Sequence, residues 1–317
     1  MGAKILIRAE GLYRHYGHYL AVEDISFELA QGEVLGFLGP NGAGKSTTMQ
    51  ILTGNLAPSA GRVWIDGIDL LDRPRRAKAC MGYLPEQPPV YRDLTVDEYL
   101  SYCARLHRVG RSQRGPAIRR AKARCGLDSV GRRLIGNLSK GYQQRVGIAQ
   151  AILHNPAVVI LDEPTVGLDP NQIRDIRSLI RELGESHGII LSTHILPEVQ
   201  ATCSHVQIIH QGRLVFSESM AELERRLGSR ALLLETRQPP DPALLQEVAG
   251  VDSVEMLGET RARLHFDGDN PAEAVAAAVA AHGWGLVELA LDRQTLEQVF
   301  VELTCGDTDQ EREQEAA

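Results

Sequence analysis

Gly39-Pro40-Asn41-Gly42-Ala43-Gly44-Lys45-Ser46 is the stretch whose residue types and spacing can do chemistry. It meets G-x-x-x-x-G-K-[ST] at every fixed position. Glycines let such a loop fold back until successive backbone N–H groups converge on one anion. The start of a following helix, here from Thr47, adds partial positive charge. Lys45 can reach the β- and γ-phosphates, and the Ser46 hydroxyl can hold Mg2+. The motif predicts a nucleoside-triphosphate site. Downstream, the apolar run Val158-Val159-Ile160-Leu161 ends in Asp162-Glu163. In a phosphate-loop fold that strand end lies beside the loop. Asp162 can then reach the Mg2+ shell, and Glu163 can accept a proton from an attacking water.

These residues need a scaffold, and the pattern supplies one. Glu33–Leu38 reads as a buried strand ahead of the loop, and Thr47–Leu52 as a helix behind it. Lys4–Ala9 and Leu20–Leu29 read as antiparallel strands, with a further strand and turn from Val63 to Gly67. Tyr142–Leu153 is a helix stopped by Asn155-Pro156, Ala157–Leu161 a strand, and Asn171–Leu183 a helix behind Pro170. Gly188–Ser192 is the next strand, and Val206–Ser217 a hairpin turning at Gln211-Gly212. This alternation predicts an α/β fold with a mainly parallel sheet. From Thr95 to about Arg133 the pattern is helical and basic, with no acid between Glu98 and Asp128. It is either a solvated face of a helical subdomain or a contact with a partner or anionic headgroups.

Near residue 228 the character changes. The order strand, helix, strand, strand, helix, strand between Ala231 and Leu291 predicts a small α+β split-βαβ domain. Its second helix has a start signal in Asn270-Pro271-Ala272-Glu273. A last helix is expected over Thr295–Thr304, and a loose acidic tail over residues 306–317. The expected division is therefore residues 1–227, with a helical subdomain at about 88–150, then residues 228–305, then the tail.

The bulk properties narrow the class. The chain has 317 residues, is 43% hydrophobic, and carries a net charge of −7, which disfavours a general nucleic-acid binder. Its five cysteines are scattered, without a C-x-x-C pair, so neither a disulfide frame nor a zinc site is expected. No secretion signal is read at the N-terminus. The longest strongly apolar run, Ala274–Ala281, is far short of the ~20 residues of a membrane span. A chain soluble by itself is expected, with any membrane role coming through a partner.

Between the loop and Asp162 lies Leu138-Ser139-Lys140-Gly141-Tyr142-Gln143-Gln144-Arg145. With it, residues 4–217 resemble the ATP-binding cassette (ABC) ATPases. The resemblance implies that Ser139 and the Gly141 N–H cap the γ-phosphate of ATP held by the other subunit of a homodimer. Lys140 and Tyr142 depart from the commonest form, Leu-Ser-Gly-Gly-Gln, and Tyr142 stands where the family's glutamine makes its contact. Val166-Gly167-Leu168-Asp169 matches the loop that crosses the dimer interface, with Asp169 as its carboxylate. Ser192-Thr193-His194 matches the switch histidine, so His194 would contact the γ-phosphate and orient the water. Gly82-Tyr83-Leu84-Pro85-Glu86-Gln87 matches the loop that approaches Mg2+ and couples to the membrane partner. Alignment on Leu94-Thr95-Val96 puts Glu86 at the key position, with Gln87 competing. A glutamate there resembles the branch serving ABC-2-type exporter permeases, including gliding-motility-like systems. Tyr16 matches the aromatic that stacks on adenine, with Tyr13 the alternative.

The implied function is ATP hydrolysis by Lys45, Asp162, Glu163 and His194, with ATP and Mg2+ as cofactors. It would drive a separate permease from the cytoplasmic face of the cell membrane. A soluble ABC ATPase acting on nucleic acid or ribosomes is the alternative. Members that work on translation usually hold two cassettes, and this chain holds one phosphate loop. A nonhydrolytic sensor is the third reading, opposed by the presence of Glu163 and His194.

Overall fold

The computed structural model describes residues 3–226, 231–292, 297–298 and 300–301. The chain divides into two compact units, Met1–Met220 and Ala221–Ala317. The first opens with β1 (Ile5–Tyr16) and β2 (Tyr19–Ala30), an antiparallel pair. β1 runs well beyond the expected Ala9. The cause is a bulge at Gly11, where φ is +52° and the register shifts between Ala9 and Leu12. It turns both Ala9 and Leu12 inward although they are three residues apart, which hides the strand from a period-two reading.

β3 (Val34–Leu38) leads into the phosphate loop and α1 (Lys45–Leu52). β4 (Ala60–Ile65) and β5 (Ile68–Asp69) return to the antiparallel sheet, whose order is β2-β1-β4-β5. α2 (Pro74–Ala79) and β6 (Met81–Leu84) follow. Helices α3 (Val96–Leu106), α4 (Arg111–Arg124) and α5 (Lys140–Ile152) form the helical region. In its basic stretch Lys122 pairs with Asp97 at 2.6 Å and Arg124 lies 3.3 Å from Glu182. Arg105, Arg108, Arg111, Arg119 and Arg120 are exposed.

β7 (Val158–Asp162), α6 (Pro170–Gly184), β8 (Gly188–Thr193) and α7 (Leu196–Thr202) restore the alternation. β9 (His205–His210) and β10 (Arg213–Ser219) form the expected hairpin. Its turn residues Gln211 and Gly212 both have positive φ, the geometry that matches strand twist in a two-residue turn. The six-stranded sheet runs β10-β9-β3-β8-β7-β6, parallel except for β10. β3, β7 and β8 are buried along their whole length, as a sheet covered on both faces demands. Phe27 of β2 and Phe37 of β3 meet edge to face at 5.1 Å and join the two sheets.

After α8 (Met220–Arg226) come β11 (Ala231–Thr236), α9 (Pro242–Gln246), β12 (Ser253–Met256) and β13 (Arg261–His265). α10 (Ala272–Ala281) and β14 (Leu286–Leu291) complete the second unit. The sheet order β12-β13-β11-β14, all antiparallel, is the split-βαβ arrangement expected from the element order. It has its own core around Leu232, Leu245, Leu264, Val275 and Trp284. Asn270 Oδ1 accepts the Ala272 N–H at 3.0 Å, the bond expected of a cap at Asn270, and the helix itself runs from Ala272, one residue past Pro271. The helix expected over Thr295–Thr304 falls largely, and the tail 306–317 wholly, outside the described residues. So does the expected boundary at 227/228.

Among the described residues no helix is long and apolar enough to cross a membrane.

The seat of β7 depends on a close approach between β6 and α5. A Cβ built on Gly82 would collide with the Ala151 carbonyl oxygen, and neither backbone can yield. Gly82→Ala should cost about 2 kcal/mol or more in a urea melt, the usual range for overpacking. Gly110→Ala, which meets open space, should change stability far less.

Candidate functional site

Side chains from β1, β2, the phosphate loop and the ends of β6, β7 and β8 face one cleft of about 470 Å3. Asn41, Gly42, Gly44, Lys45, Ser46 and Thr47 form its floor. α1 begins at Lys45 with no side-chain cap, so its first N–H groups have no partner within the helix. Gly44 makes this start possible. Its φ is +104° and a Cβ there would lie 2.6 Å from the Ala21 carbonyl oxygen. Gly39 and Pro40 shape the loop from behind, accepting hydrogen bonds from Lys45 Nζ at 2.7 and 3.1 Å. Ala43 is buried, its N–H bonded to the Pro40 carbonyl at 3.2 Å.

Opposite the floor stand Glu86, Glu163, Val166 and His194. Glu163 follows β7 with φ at +48°, the left-handed region that a residue with a Cβ enters at a cost. Its Oε1 accepts from His194 Nδ1 at 2.9 Å and lies 4.0 Å from Lys45 Nζ. A carboxylate only accepts, so Nδ1 carries the proton of that bond and Nε2 is left for other partners. Glu163 Oε2 is buried and has no hydrogen-bond partner among the described residues. An acceptor oriented but unused, beside a histidine and a lysine, suits proton abstraction.

Asp162 ends β7 and is buried. Burial pushes its carboxyl above the ordinary carboxylate range, with Glu163 and Glu86 adding to the rise and Ser192 and Lys45 opposing it. Lys45 is pushed the other way. Burial lowers its pKa, and Glu163, Asp162 and Glu86 hold it up. Ser46 and Glu86 line the cleft, and Asp162, buried at the end of β7, feels the charge of Glu86; together they offer a hydroxyl and two carboxylates. That hard-oxygen set fits Mg2+ better than a softer metal.

Two pairs of candidates from the sequence differ in position. Tyr16 lines the cleft, whereas Tyr13 is engaged in the β1·β4 ladder opposite Ala60. Glu86 lines the cleft and Gln87 does not. Ser139, Gly141 and Asp169 lie away from it. Ser139 caps α5, Asp169 caps α6 through the N–H groups of Asn171 and Gln172, and Gly141 packs against Gln172.

Sequence reasoning missed Tyr19 and Glu198. Tyr19 pairs with Tyr16 across the Gly17-His18 turn and also lines the cleft. The signal was an aromatic on either side of a two-residue turn. Glu198, on α7, is buried and takes hydrogen bonds from Thr165 and Thr193. A lone glutamate one helical turn beyond His194 gives no sign of burial.

Comparison with known proteins gives these arrangements a context. Residues 22–166 match the family described as ABC transporter. The bacitracin transport ATP-binding protein BcrA of Bacillus licheniformis is 31% identical over 96% of this chain and 98% of its own length. The linearmycin resistance ATP-binding protein LnrL of Bacillus subtilis is 28% identical over 94% and 98%. A solved ATP-binding subunit of an ABC transporter superposes with a TM-score of 0.64 at 31% identity, covering 70% of this chain and 93% of that one.

The raised pKa of Asp162 has a consequence for stability. A carboxyl that binds its proton more tightly folded than unfolded destabilises the fold as pH rises above the unfolded value, ~3.9. Asp162→Asn should therefore be more stable than the parent at pH 7. The gain should shrink as urea melts are repeated toward pH 4.

Proposed function

The chain belongs to the ABC transporter ATP-binding family, and from that premise we propose that it hydrolyses ATP as a homodimer and drives a separate permease in the direction of export. The observation that carries the chemistry is the Glu163–His194 pair facing the phosphate loop across one cleft, with Glu163 Oε2 unpartnered among the described residues. The loop N–H groups and the start of α1 would bind the phosphates. Lys45 would exchange its loop carbonyls for phosphate oxygens, and Tyr16 would carry the adenine. Ser46, Asp162 and Glu86 would hold Mg2+, which when bound neutralises charge on the β- and γ-phosphates. Glu163 would take the proton of the attacking water, and His194 would keep that carboxylate turned toward it.

One cleft supplies half of such a site. Ser139 and Gly141 open α5, a helix start outside the cleft, and a second copy would bring them to the γ-phosphate. ATP would then favour the closed pair because it touches both faces, and hydrolysis would release it. The permease is supported by relatives matched over nearly their whole length, through the second unit as well as the first. One is named for bacitracin transport and the other for linearmycin resistance, and outward transport is the direction that confers resistance. Glu86 at the coupling position supports the ABC-2-type branch and placement at the inner face of the membrane.

Glu163→Gln should retain ATP binding and lose turnover by about 100-fold or more, the scale of general-base catalysis. It should also run as a dimer on size exclusion with ATP. Turnover at the parent rate would remove Glu163 as the base. Lys45→Ala should lose nucleotide binding, and unchanged affinity in a fluorescence titration would contradict the loop assignment.

A further inference from the structure

Glu198 is 1% exposed, and among the described residues no lysine or arginine is bonded to it. A buried carboxylate is costly, and an apolar residue of similar size would pack the same space at less expense. What it does instead is join two loops. Thr165 Oγ1 donates to Glu198 Oε1, and Thr193 Oγ1 donates to Glu198 Oε2 at 2.9 Å. Thr165 lies two residues beyond Glu163, and Thr193 immediately precedes His194.

The bond directions make this a brace. A threonine hydroxyl has one proton, and Thr193 spends it on Glu198. Its oxygen is then free to accept the Ile195 N–H at 3.1 Å, which sets the turn just after His194. The Glu163 N–H to Ser192 carbonyl bond, at 2.9 Å, carries the pairing of β7 and β8 one residue past Asp162. Alone it cannot set the angle between the segments beyond it. The Glu163 backbone is also in the left-handed region, a conformation that persists only when its surroundings over-determine it. Glu198 supplies the second point of attachment.

We propose that Glu198 is a positioning residue for hydrolysis: through Thr165 and Thr193 it holds the loop of Glu163 and the loop of His194 at the separation their hydrogen bond requires. The proposal rests on the reading of Glu163 as base and His194 as its partner. Glu198 is buried and is not among the residues that line the nucleotide cleft, so it touches no reacting atom. Its effect belongs in kcat, with ATP affinity left alone.

The test uses the purified full-length chain, single-turnover ATP hydrolysis, binding of a fluorescent ATP analogue and thermal melts. Glu198→Gln keeps the shape but offers one accepting oxygen in place of two. It should lower the hydrolysis rate about tenfold or more, since small misplacements near a reacting centre carry penalties of that order. Analogue affinity should stay within about twofold, the pattern of an interaction that matters in the transition state only. In a His194→Ala background the same change should cost little more, because residues that act as one unit are not additive. Thr165→Val and Thr193→Val each remove one tie with little change of shape. They should reproduce part of the loss, and they carry the test if Glu198→Gln fails to fold. A parent-like rate in Glu198→Gln overturns the proposal. So does an equal fold-loss with and without His194, which would mark a general packing role. A fully active Glu198→Gln beside an inactive Glu163→Gln overturns the role of Glu198 alone, whereas a fully active Glu163→Gln overturns the base and the brace together.

Discussion

Three carboxylates, those of Asp162, Glu163 and Glu86, act on the buried ammonium of Lys45, and the site depends on how that charge is shared. Coulomb repulsion within such a group is strong where water is excluded. The protein does not relieve it by moving the groups apart. It buries Asp162 at a raised pKa and Lys45 at a lowered one, each shifted toward its neutral form. A ligand that brings phosphate oxygens to Lys45 and a divalent cation to the carboxylates relieves both strains together. Binding and stability are therefore linked here, and the fold carries a local cost for function.

The sheet is what makes that cost bearable. β7 and β8 run parallel and side by side, with Asp162 opposite Ser192 and Leu161 opposite Leu191. The residues that follow their C-terminal ends, Glu163 and His194, emerge together. β3 lies on the other side of β8, so the phosphate loop leaves the same edge. Positions far apart in the chain are thus fixed by backbone pairing, and only the last turn of each loop needs side-chain support.

This division explains what could be read without coordinates. The phosphate loop is local: its glycines, Lys45 and Ser46 are spaced by backbone geometry within one turn. The strand ending in Asp162-Glu163 is local too, because a fully buried parallel strand must be apolar throughout. The sequence favoured Tyr16 over Tyr13 and Glu86 over Gln87 only through resemblance, and spacing left both alternatives open. Each depends on which face of a bulged or irregular segment meets the cleft. β1 was cut short for the same reason, since the bulge at Gly11 shifts the alternation. Glu198 was invisible because its partners, Thr165 and Thr193, come from two other segments. A buried carboxylate satisfied by hydroxyls has no signature in a linear pattern.

The start of α5 extends the same logic toward the second copy. Gly141 leaves no room for a Cβ against Gln172 of α6, and a side chain at Gly167 would collide with the Lys140 ammonium. The helix that would reach the other copy's phosphate is therefore packed on the segment running from Glu163 through Gly167 to the Asp169 cap. Lys140, where the family's commonest form has glycine, makes the contact with Gly167 through a long side chain.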